Sequence, residues 1–108
     1  MRFSSKARLN GDQQFYRLNP QIKAYTLKDL NFRVSRSGNF VLKYYLNGSA
    51  IQRQSYQFKI VVKKDLKTFK MDVTDHQGLR KVNLFDDQHP KSLQQLKYLL
   101  GELMVRRV

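Results

Sequence analysis

The stretch from Gln54 to Lys64, QSYQFKIVVKK, is the strongest strand signal in the chain and limits what can form around it. Tyr56, Phe58, Ile60 and Val62 fall on one face at period two, while Gln57, Lys59 and Lys63 fall on the other, with Val61 as the exception. One face is built for a core and the other for water or an anion.

Taken in order, Arg2 to Leu9 alternates, with Phe3, Ala7 and Leu9 on the core side and Arg2, Lys6 and Arg8 on the other. Asn10-Gly11 is a strong hairpin signal, and Gln13 to Leu18 would complete the hairpin before Asn19-Pro20 breaks it. Residues 19–24 leave two readings open: a short helix capped by Asn19 that carries Ile22 inward, or a turn leading into an extended Tyr25-Thr26-Leu27. Strands follow at Asn31 to Ser35 and Phe40 to Leu46, joined by Ser37-Gly38-Asn39 and closed by Asn47-Gly48-Ser49. Beyond Lys64-Asp65-Leu66-Lys67, the run Thr68 to Thr74 alternates again, and Asp75-His76-Gln77-Gly78 turns into Leu79 to Phe85. Short strands joined by turns in this way pair antiparallel as a meander.

The last element has another period. Leu93, Leu96, Leu100, Leu103 and Met104 recur at three- and four-residue steps, which predicts an amphipathic helix of about 16 residues. Pro90 in its first turn, or Ser92 with Gln95 as a capping box, would start it, and Arg106 and Arg107 would suit its carboxyl end. Gly101 within it costs about 1 kcal/mol against alanine, which predicts a close approach of helix to sheet. The fold class expected is α+β: residues 1–108 as a single domain, one antiparallel sheet of six or seven short strands, and the carboxyl-terminal helix packed on one face. That helix covers one sheet face only. The other must curl, meet a partner or stand in water.

Charge is the outstanding compositional feature. The formal net charge is +13 over 108 residues, with nine Lys or Arg in residues 1–50 against Asp12 and Asp29, and twelve against six acids in the remainder. A hydrophobic fraction of 41%, with seven Phe and six Tyr, argues for a folded globule over a basic tail. Such a charge attracts nucleic acid, an acidic membrane surface or an acidic protein. No cysteine is present, no apolar run follows the basic start, and no segment approaches the ~20 apolar residues of a membrane span. A cytoplasmic, soluble protein is expected.

On the sheet face away from the helix, the pattern places Arg2, Lys6, Arg8, Arg33, Lys43, Lys59, Lys63, Lys70 and Lys81, with Tyr45 among them and Asp72 as the chief acid. Cations interleaved with an aromatic can track a phosphate backbone and stack a base. A solvated face that favours lysine is the plain alternative. The imbalance of nine cations against one acid favours polyanion binding, with RNA as first candidate partner and an acidic protein surface as second.

Named modules and catalytic constellations do not emerge. RSGNFVLKY, Arg36 to Tyr44, keeps Phe40-Val41 of an RNP1 motif but has Gly38 and Lys43 where that motif wants aromatics. His76 beside Asp75, and His89 after Asp86-Asp87, could each pair with a carboxylate as a general base, which leaves a small enzyme as the last-ranked reading. Turn and cap positions attract Asp and His for backbone reasons, and that reading is preferred. With two His and no Cys, no metal site is expected, and the scattered glycines form no phosphate loop or dinucleotide fingerprint, so no cofactor is expected.

Asn19-Pro20, Tyr25-Thr26-Leu27, Asn31-Phe32, Gly38-Asn39-Phe40, Lys64-Asp65-Leu66 with Phe69-Lys70, and Val82-Asn83-Leu84-Phe85 together resemble a small family of lactic-acid bacteria labelled "putative amino acid metabolism". The resemblance runs from about Leu9 into the final helix. It implies an α+β domain of unestablished function, found beside genes for cysteine desulfurase and transfer-RNA thiolation, with members sometimes labelled cysteine desulfurase themselves. A desulfurase needs a lysine to hold pyridoxal phosphate and a cysteine to take the sulfur. This chain has no cysteine and is too short to enclose the cofactor, so within such a pathway it would be an accessory.

Overall fold

The computed structural model describes residues 3–9, 11–12, 15–18, 21–46, 56–75, 77–83, 90–102 and 105–107. Its elements in order are β1 (Tyr16–Leu18), α1 (Ala24–Asp29), β2 (Arg33–Val34), β3 (Phe40–Leu46), β4 (Tyr56–Val62), β5 (Phe69–Asp75), α2 (Pro90–Glu102) and β6 (Val105–Arg107). β2-β3-β4-β5 form an antiparallel meander, and β1 pairs with β6 in a separate two-stranded sheet. The fold is α+β as expected, with fewer strands in its main sheet than the six or seven the pattern predicts.

Period two explains the main sheet. Phe40, Leu42 and Leu46 of β3, Phe58, Ile60 and Val62 of β4, and Phe69, Met71 and Val73 of β5 are all buried on one face. They share a core with Leu96 and Leu100 of α2, Leu27 of α1, and Tyr16 and Leu18 of β1. Each such side chain removed fully from water contributes roughly 1.5–3 kcal/mol.

The segment around α1 is settled by its exit. The Asn31 amide donates to the Lys28 carbonyl at 3.1 Å and the Phe32 amide to the Leu27 carbonyl at 3.0 Å. With Asn31 at φ 73, these bonds form a Schellman motif, and its hydrophobic contact joins buried Phe32 to buried Leu27. Tyr25-Thr26-Leu27 is therefore helical, not extended. Ile22 is buried ahead of the helix. Because the chain leaves the helix only at Phe32, β2 holds just two residues.

Further expectations change. Ser4 exchanges both backbone hydrogen bonds with Phe69 and so lies beside β5, while Ala7 bridges Tyr16 as the only described remnant of the first hairpin. Since Ser4 shares the side of Phe69, Phe3 falls on the outer face with Lys70 and not in the core. Arg106 and Arg107 belong to β6 and not to the helix end, because the helix stops at Glu102 and the chain returns to pair with Arg17 and Tyr16. Gly101 faces open space, with no atom within 4 Å of an added Cβ among the described residues, so no close helix–sheet approach occurs there. Of the strand predicted over Leu79 to Phe85, the described residues show one bridge, Thr74 with Lys81.

Turns hold the sheet ends together. Gly38, at φ 87, lets Ser35 and Asn39 close the β2–β3 hairpin, where the Ser35 amide donates to the Asn39 carbonyl at 2.8 Å. The Asn39 side-chain oxygen accepts the Lys64 amide at 3.1 Å and ties that hairpin to the next one. Arg2, Asn19-Pro20, Asn47-Gly48-Ser49, His76, Leu84-Phe85, Asp86-Asp87, His89, Leu103 and Met104 lie outside the described residues.

Candidate polyanion-binding face

Strand register assembles the outer face, the one turned away from α2. One row across β3, β4 and β5 reads Val41, Val61, Lys70; the next reads Lys43, Lys59, Asp72; the third reads Tyr45, Gln57, Thr74. Arg33 adds to the first row beside Val41, and Lys81 to the third beside Thr74. Residues directly opposite each other on one face bring their Cβ atoms to about 5 Å, so Lys43, Lys59 and Asp72 form a tight charge row. Lys43 is exposed, and Lys59, Asp72 and Tyr45 are half-buried. A polar recess of about 280 Å³ opens there between Lys43, Lys59, Gln57, Thr74 and Gln77, with Asp72 in its wall.

Phe3 occupies one corner of the face. Its ring lies 4.8 Å from the Lys70 ammonium and 5.8 Å from that of Lys63, within cation–π range. Those two lysines flank Val61, one opposite it and one two residues along the same strand. Val61 is itself buried, at 7% exposure, although it lies on the outer face. Alternation misplaces Phe3 because the first segment does not run as one strand: it bends at Ser5-Lys6 between its bridges to Phe69 and Tyr16.

Arg33, Lys43, Tyr45, Lys59, Lys63, Lys70 and Lys81 thus share the outer face. Arg8 is exposed and its guanidinium lies 5.5 Å from the Phe15 ring, just ahead of β1, while Lys6 is exposed at a bend that breaks the alternation. Arg2 lies outside the described residues, as do both histidines. The carboxylate of Asp75 accepts the amides of Gln77 at 3.1 Å and Leu79 at 3.0 Å, which is the turn-forming role expected of it. Among the described residues, no three His, Asp or Glu side chains converge as a metal site, and no helix is long and apolar enough to cross a membrane.

A second concave surface escapes sequence reasoning. β2 covers only Phe40 and Val41 of β3, and beyond them a groove of about 1530 Å³ opens between β3 and α2, where Tyr44 and Tyr98 stand exposed. Strand lengths create it, and the only hint in the sequence is Tyr98 off the leucine stripe.

The family model for DUF1831, described as "Putative amino acid metabolism", matches residues 1–108. A crystal structure of a DUF1831 family protein from Lactobacillus plantarum is 31% identical, with a TM-score of 0.85 over 98% of this chain and 97% of that one. No curated protein matches the sequence. With the family pattern matched along its whole length and the fold shared with a solved member, this chain belongs to the DUF1831 family.

Proposed function

We propose that this protein is a non-catalytic accessory that binds RNA through the outer face of its main sheet, working as a single domain. The observation that carries the reading is the register, which lines Arg33, Lys43, Lys59, Lys63, Lys70 and Lys81 along one face that no other described strand or helix covers, with Asp72 as the acid among them. Phosphates spaced along a nucleic-acid backbone are neutralised by such an array, and counterion release supplies the affinity. Tyr45, in the row beside Lys43 and Lys59, offers an aromatic on which a base can stack. Transfer RNA is the first substrate to try, given the thiolation genes that the family resemblance implies as neighbours. The absence of cysteine keeps the protein from carrying the sulfur itself.

The test is transfer-RNA binding by filter retention over a salt series, with the full chain and a Lys43→Glu, Lys59→Glu double variant. Binding is expected to weaken steeply with salt, and the double variant to flatten the log–log slope by about 1.5–2. Binding that ignores salt, or that the double reversal leaves intact, overturns the reading.

A further inference from the structure

We propose that the groove between β3 and α2 takes an extended peptide of a partner protein, alternating acidic and apolar residues, which joins the main sheet as a strand beside β3. The Ser35 amide bonded to the Asn39 carbonyl fixes the phase of the β2–β3 ladder. By strict alternation from that pair, Val41, Lys43 and Tyr45 direct their N–H and C=O groups toward the β2 side, while Leu42 and Tyr44 direct theirs toward β4. β2 ends its pairing at Val41. Among the described residues no strand lies beside Lys43 to Leu46, so the edge presents an amide and a carbonyl from each of Lys43 and Tyr45.

That edge is the floor of the groove. At about 1530 Å³ it exceeds the roughly 300–1,000 Å³ of small-molecule pockets, and α2 walls it with Gln95 and Tyr98. Val34, Tyr44 and Tyr98, at 54%, 44% and 72% exposure, are three of the large exposed hydrophobic residues of the described chain, and all line it.

The occupant follows from the two sides of the edge. Val34 and Tyr44 share the α2 side of the sheet, whereas Arg33 and Lys43 share the outer side. A strand laid along β3 alternates its side chains between those environments, so apolar residues meet Tyr44 and Tyr98 while acidic residues meet Arg33 and Lys43. Donors and acceptors alternating along a sheet edge are satisfied by another peptide backbone, whereas a phosphodiester offers acceptors alone. A second copy of this chain would bring Arg33 and Lys43 against their own kind in a protein of net charge +13, which repels.

The experiment uses the full chain, isotope-labelled for amide NMR, and end-blocked peptides of about seven residues that alternate glutamate and valine. The probe is expected to shift the Lys43 and Tyr45 amides. A scrambled peptide of the same composition should bind about ten-fold more weakly, as should the Tyr98→Ala protein, whose altered side chain is exposed and leaves the core intact. Two N-methylated versions, one blocked at every glutamate and one at every valine, should differ, because only one set of amides in an added strand faces β3. Equal binding of the two versions, equal binding of the scrambled peptide, or shifts confined to Lys59 and Lys70 overturn the proposal. So does displacement of the peptide from these amides by an RNA oligonucleotide, or self-association that broadens Lys43 and Tyr45 without peptide.

Discussion

The amide of Phe32 reaches back over the end of α1 to the carbonyl of Leu27, at 3.0 Å, and the side chains of both residues are buried together in the core. This one link fixes where helix gives way to strand. It shortens β2 to Arg33–Val34 and thereby leaves the rest of β3 open along the groove.

Asn31 is the residue that lets the link form, since its φ of 73 lies where only glycine and asparagine sit at small cost. Asn31→Ala is expected to lower stability by about 1 kcal/mol, while Asn31→Gly should be neutral or slightly stabilising. Urea denaturation of the two variants separates a backbone effect, which glycine tolerates, from a side-chain effect, which it does not.

Gly11 stands at φ 85 against the Asn83 side chain, and a Cβ there would collide with that amide. Gly11→Ala should cost about 1–3 kcal/mol through both strain and overlap. Combining it with Asn83→Ala should recover the part due to overlap. Additive losses in this double-mutant cycle would show that only the backbone objects.

Gly101 has no positive φ and, among the described residues, no neighbour in contact. Gly101→Ala should therefore raise the stability of the helix by up to about 1 kcal/mol, seen as a higher melting temperature. A loss of stability would mean that the position is packed after all.

Asp72 interrupts the cations of the outer face in the row of Lys43 and Lys59. If RNA is held on that face, Asp72→Asn should tighten transfer-RNA binding about two- to five-fold at low salt, with the gain fading as salt screens the face. No change in affinity would place the nucleic acid elsewhere.

The parts legible in the sequence are those where one period decides. β5 follows from Phe69 opening a run of alternate burial, β3 and β4 from the same period with Tyr44 exposed and Val61 buried as exceptions, and α2 from the Leu96–Leu100 stripe. Tyr25 to Leu27 was harder because three residues contain less than one helical turn, and the carbonyl that decides their state is answered by Phe32, five residues away. Arg106 and Arg107 suit a helix end by charge, but pairing with β1 depends on a strand almost a chain length distant. Six cations of the array and Tyr45 keep one face because register preserves parity, whereas Lys6 and Arg8 follow a bend that polar residues alone do not announce. The groove depends on β2 being shorter than β3, a difference in length that no residue pattern encodes.

The pairing of Tyr16–Leu18 with Val105–Arg107 also sets an order of events. A ribosome delivers the chain from its amino end, so the meander and α1 can close while β1 still waits for its partner to be made. Until β6 emerges, β1 is held among the described residues by the bridge of Tyr16 to Ala7 alone, with two of its three side chains destined for the core, Tyr16 and Leu18. The joint between the two ends is then the last to form, the slowest by virtue of its sequence separation, and the first that a stop codon near the end would erase.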